Sequence, residues 1–207
     1  MLSVSRLKTT VRLALPCIFA LAVSACTSGG PGPLDSNNYG LAQKSIKVCS
    51  GYGCKLSDAF VFSAEELEQL QAIMSAGHAS AEAERNAIAN AIGAMEKMAR
   101  KRLGYEIDEK KSYQAHSGRR GQMDCVDESL NTTQYLFFLQ NQQLLKFHKT
   151  NRRYAERGII VDGRYPHKSA RIIDASGQQW TVDSWYERDG EPAQIMRLEK
   201  WRKVRNS

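Results

Sequence analysis

Apolar residues recur at helical spacing from Leu67 to Phe137 and at alternate positions after about residue 144, and this change of period constrains the fold most. Ser63 and Glu66 stand at capping-box spacing, where hydroxyl and carboxylate each accept a free backbone N–H of the helix start. The helix that follows carries Leu67, Leu70, Ile73 and Met74 on one face and stops at Gly77. A longer helix starts near Ser80 with Ile88, Ile92, Met95 and Met98 along its stripe. Arg100, Lys101 and Arg102 fill its last turn, where cations suit the dipole, and Gly104 ends it. A third helix begins at Asp124, with Val126, Leu130, Thr133 and Phe137 on one face. Strands are expected over 144–154, 158–161, 168–174 and 179–186, broken at Asp162 and Gly163 and at Ser176 and Gly177. Helices first and antiparallel strands afterwards predict an α+β domain. Residues 105–121 show no sustained period and form a long polar loop, of the length that often serves function.

The N-terminus sets the compartment. Arg6, Lys8 and Arg12 precede an apolar run over 13–23 that is too short to span a bilayer. Val23, Ser24 and Ala25 then lead into Cys26, an ending that resembles the lipobox of bacterial lipoproteins. That resemblance implies a signal peptide over 1–25, lipidation of Cys26, and membrane attachment through acyl chains, at about 0.8 kcal/mol per buried CH₂. Thr27 in place of an acid implies the periplasmic face of the outer membrane. Residues 26–44, rich in Gly, Pro, Ser and Asn, read as a flexible tether, and 45–207 as one domain. Of 29 basic and 22 acidic residues the signal takes three bases and no acid, leaving a net charge of +4 in short scattered clusters. Such a surface suits solvent or an anionic envelope polymer, and nucleic acid is not an expected partner.

Five cysteines divide by position. Cys17 leaves with the signal and Cys26 takes lipid. Cys49 and Cys54 flank a glycine-containing turn and are expected to form a disulfide in an oxidising compartment. Zinc is the rival reading of that pair, but no further His or Cys lies near to complete its ligands. Cys125 remains a free thiol. No metal-binding motif is present, and neither a metal nor another cofactor is expected.

Cys125 starts a helix, His167 starts a strand and Asp183 lies on the next strand. A thiol nucleophile needs a base, and the base needs a group that fixes its orientation. A helix N-terminus favours the thiolate, whereas Asp124, Asp127 and Glu128 disfavour a further negative charge. The hairpin between His167 and Asp183 carries its own test. A three-residue turn with Gly177 in the left-handed position sets His167 opposite Trp185 and Ser169 opposite Asp183. His167 and Asp183 are then diagonal neighbours on one face, and Ala170, Ile172, Trp180 and Val182 form the core face. A two-residue turn would set the pair on opposite faces. Gln122, three residues before Cys125, is a candidate oxyanion donor or a solvent-facing loop residue. His78, His116 and His148 read as surface, and Asp174 and Asp189 as turn residues.

A helix-borne Cys followed by PHKSARIIDASGQQWTVDSW resembles the transglutaminase-like branch of the papain-like cysteine hydrolases, and most of all the bacterial transglutaminase-like cysteine proteinases of the cell envelope. The resemblance covers roughly 80–186. It implies a Cys125 nucleophile, a His167 base and an Asp183 orienter, within a helical subdomain packed on an antiparallel sheet. The activity implied is a thiol hydrolase or acyl transferase on peptide or isopeptide bonds of a protein or peptidoglycan peptide. Against that pattern, acids surround Cys125, and no Trp stands near the cysteine as in the eukaryotic transglutaminases. The alternative is a binding or structural lipoprotein that keeps the fold without turnover.

Overall fold

The computed structural model describes residues 45–111, 114–158 and 166–204. The signal over 1–25, Cys26 and the tether over 26–44 lie outside the described residues, as do residues 159–161 of the expected strand over 158–161.

The domain is α+β. Strands β1 (Ser45–Ser50) and β2 (Leu56–Val61) form an antiparallel hairpin that the sequence reading had taken only as a disulfide loop. Helix α1 (Ala64–Ser75) carries the expected capping box, with Glu66 N–H donating to Ser63 Oγ and Ser63 N–H to Glu66 Oε2. Helix α2 (Ala81–Leu103) runs from its Ser80 cap to Gly104, whose φ of 68° closes it in the left-handed conformation.

Helix α3 (Cys125–Asn141) departs from the one-sided amphipathic reading. It is buried on nearly every side from Asp127 to Leu139 because it is the central element. It packs between the β1–β2 hairpin and a second sheet of order β3-β4-β5-β6. That sheet comprises β3 (His148–Arg157), β4 (His167–Asp174), β5 (Gln179–Asp183) and β6 (Gln194–Arg197), all antiparallel. Strand β3 starts later and ends later than the alternation suggested, and β6 and the short helix α4 (Leu198–Trp201) were not foreseen.

The β4–β5 register pairs Ala170 with Val182 and Ile172 with Trp180. Gly177 N–H donates to the Asp174 carbonyl, and Gly177 has a φ of 84°. The turn is therefore the three-residue form, and it decides which residues share a face. Ala170, Ile172 and Val182 join the main core with Leu136 and Leu139 of α3 and Ile88, Ile92 and Met95 of α2. The opposite face carries Ser169 and Asp183 beneath α4, where Leu198 and Trp201 pack on Ala155.

Candidate active site

His167 and Asp183 meet as diagonal neighbours at the end of the sheet. The imidazole Nε2 is 2.8 Å from Asp183 Oδ2, and each residue is 2% exposed. The same carboxylate oxygen accepts the indole N–H of Trp201 at 2.6 Å. Aromatic rings wall the imidazole, with centroids at 4.6 Å for Trp185, 5.2 Å for Tyr186 and 5.5 Å for Trp201. The other ring nitrogen, Nδ1, is buried and makes no hydrogen bond.

Cys125 approaches from the α3 side of the same sheet end. The backbone N–H of Lys168, the residue next to His167, acts to lower the thiol, and the charge of Asp183 acts to raise it. Cys125 is a free, half-buried thiol. The link between α3 and the segment after β5 is itself hydrogen-bonded: Ser184 Oγ donates to Glu128 Oε2 at 2.7 Å and lies 3.1 Å from Thr132 Oγ1. The structure thus brings all three sequence candidates to one sheet end, with His167 and Asp183 in direct contact and no hydrogen bond from His167 Nδ1 to the sulfur.

Of the two opposing influences on the thiol, the one that disfavours negative charge prevails. Burial, then the charges of Asp124 and Asp183, push Cys125 up to about 12. The helix donors that would favour a thiolate are already engaged, since the N–H groups of Val126 and Asp127 both donate to Asp124 Oδ1 at 3.0 Å. The resting residue is a neutral thiol.

Cys49 and Cys54 form a disulfide, and its ring clamps the start of α3. Gly51, Tyr52, Gly53 and Cys54 all have positive φ, which turns successive amides inward as an anion-binding nest. Tyr52 N–H and Cys54 N–H donate to the Asp127 carboxylate at 2.8 and 2.5 Å, and Gly53 N–H donates to Asp124 Oδ1 at 3.1 Å. Burial and the neighbouring Asp124 still push Asp127 up to about 7. The Asn131 side chain bonds both the N–H and the carbonyl of Cys49, holding the ring to the helix one turn on.

Gln122 is 4% exposed rather than solvent-facing, and its amide donates to the Ile107 carbonyl at 3.2 Å. His148 is also not a surface residue: its Nδ1 lies 2.7 Å from Glu84 Oε2, and both side chains are fully buried. Burial raises Glu84, but His148 and the N–H groups of Lys146 and Phe147 outweigh it and leave that carboxyl lowered. Asp189 is more than a turn residue, since it pairs with Arg100 at 2.5 Å.

A group of buried acids lies behind the site. Burial and the charge of Asp189 push Glu96 up to about 8, burial pushes Asp108 up to about 7, and Glu128 is raised as well. Among the described residues, no group of three or more His, Cys, Asp or Glu side chains is arranged to hold a metal ion. The described helices include none long and apolar enough to cross a membrane.

The arrangement defines a class: an α+β domain with a buried imidazole–carboxylate pair beside a helix-borne thiol. No family model, curated protein or solved structure matches the chain. The sequence reading missed Trp201, Tyr186 and Arg157 as parts of this site. They follow no motif spacing, and only the fold returns the C-terminal residues to β5.

Proposed function

We propose that the chain is a transglutaminase-like thiol hydrolase or acyl transferase acting on peptide or isopeptide bonds, anchored to the cell envelope through lipid on Cys26. The observation that carries the reading is the state of His167. One nitrogen is held by Asp183, and the other is unpartnered, on the residue next to Lys168, whose N–H lowers the Cys125 thiol. A base so held suits general-base chemistry, and catalytic hydrogen bonds commonly tighten only when substrate binds.

In this mechanism Cys125 Sγ attacks the carbonyl carbon as His167 Nδ1 takes the thiol proton, so no resting thiolate is needed. The tetrahedral intermediate collapses as the imidazolium returns that proton to the leaving amine, and a thioester remains on Cys125. Water then completes hydrolysis, or a second amine completes transfer, with His167 again as base. Asp183 fixes the ring and stabilises the imidazolium without being protonated. Gln122 has a second amide hydrogen, which is the candidate oxyanion donor.

Lipidation at Cys26 would hold this domain at the periplasmic face of the outer membrane, within reach of envelope proteins and peptidoglycan peptides. The raised thiol favours a second reading, a binding or structural lipoprotein that keeps the fold without turnover. A peptide ester offered together with a fluorescent primary amine separates the two. A fluorescent amide shows transfer and free acid shows hydrolysis. Product formation equal to that of Cys125→Ala supports the non-catalytic reading. Anchoring is tested by Cys26→Ala, which should leave the membrane fraction; retention with unchanged fatty-acid labelling opposes it.

A further inference from the structure

Asp183 is a carboxylate at 2% exposure, and such a group must be matched by donors. It has two on one oxygen: His167 Nε2 and the Trp201 indole N–H at 2.6 Å. These donors differ in kind. Imidazole exchanges protons and tautomers, whereas an indole N–H only donates and does not titrate. Trp201 therefore occupies one direction on Oδ2 at every pH and leaves His167 the other.

The indole is itself held. Trp201 is fully buried, its ring plane lies at 32° to that of His167, and the Arg157 guanidinium stands 4.6 Å over it. Arg157 also donates to the Val204 carbonyl at 2.6 Å and to Tyr186 Oη at 2.5 Å. One cation thus ties the C-terminal turn to the aromatic wall of the imidazole.

We infer that Trp201 is the positioning residue of the site, aiming Asp183 so that His167 stays in the tautomer with Nε2 protonated and Nδ1 free to accept the thiol proton. The inference rests on Asp183 orienting His167 as proposed above. It gives the C-terminal helix, four residues long and remote in sequence from Cys125, a direct part in setting the base.

The test is nitrogen NMR of the His167 imidazole in the full chain, with acylation of Cys125 by an activated ester measured in parallel. Wild type should show a protonated Nε2 and an unprotonated Nδ1. Trp201→Phe keeps a ring and removes the donor. A benzothienyl analogue at the same position, with sulfur replacing the indole N–H, serves where the smaller ring fails to fold. Both should shift the two nitrogens toward averaged values and slow acylation about tenfold at unchanged KM, the order expected for losing one hydrogen bond to a charged group. An unchanged single tautomer in the folded variants overturns the role of Trp201. A wild-type ring protonated at Nδ1 overturns both this inference and the proposed function. A tautomer shift with no acylation of wild-type Cys125 supports Trp201 and removes the thiol chemistry alone.

Discussion

Glu96→Gln should make the protein more stable in alkali and flatten its pH dependence. Glu96 is 6% exposed, its Oε1 has no hydrogen-bond partner, and its Oε2 accepts Gly190 N–H at a long 3.3 Å. Burial, then the charge of Asp189, raises it from the ordinary 4.5 to about 8. A carboxyl raised on folding binds its proton more tightly in the native state. Its contribution is thus complete below the unfolded value and is lost as pH rises through about 8. At about 1.4 kcal/mol per pH unit, that interval bounds the loss at roughly 5 kcal/mol, which Asp108 and Glu128 share as neighbours. Gln is isosteric, keeps an acceptor for Gly190 and cannot ionise. Urea unfolding at constant ionic strength should show the variant near wild type at pH 5 and a few kcal/mol more stable at pH 8.5. An unchanged pH slope, or a variant weaker than wild type at pH 8.5, would refute the protonated-acid account.

Three further outcomes follow from the same contacts. Replacing Cys49 and Cys54 together by Ser should cost about 2 kcal/mol from the six-residue ring and loosen the amides on Asp127; a thermal melt unchanged from wild type would contradict that. Gly93→Ala places a Cβ 2.5 Å from the Glu191 carbonyl oxygen, a backbone atom with little room to retreat, and should cost about 1–3 kcal/mol; urea unfolding equal to wild type would show that the 190–193 segment yields freely. Iodoacetamide labelling of Cys125, followed by peptide mass spectrometry at pH 8, should run over a hundredfold more slowly in the native chain than in urea, because the thiol is pushed up to about 12; native labelling as fast as in the unfolded chain would contradict a neutral resting thiol.

What the sequence made legible was local or periodic. Ser63 with Glu66, Ser80 and Gly104 announced two helices because caps are read within a turn of chain. Gly177 and the alternation of Ala170, Ile172, Trp180 and Val182 determined the hairpin parity, and with it the contact of His167 and Asp183. Where long-range packing decided, the reading failed. His148 seemed a surface residue because its partner Glu84 lies on helix α2, 64 residues earlier. The sequence set the helix N-terminus against the acids at Cys125 without deciding between them; in the fold Asp124 takes those N–H groups and burial raises the thiol. The clamp on α3 was invisible because β1 and β2 are short and their turn uses an unusual run of positive φ. Trp201 had no spacing to mark it.

The central claim, that Cys125 is a nucleophile served by His167, is tested most directly by acylation with p-nitrophenyl acetate followed by mass spectrometry. Wild type should acquire a single acetyl group on Cys125, detectable before hydrolysis releases it. His167→Ala should slow its formation by about 10²–10⁴-fold, the usual worth of a positioned general base, while the fold is retained. Asp183→Asn should fall between the two. An acetyl group that forms at the same rate with and without His167, or none on Cys125 in wild type, would contradict the account.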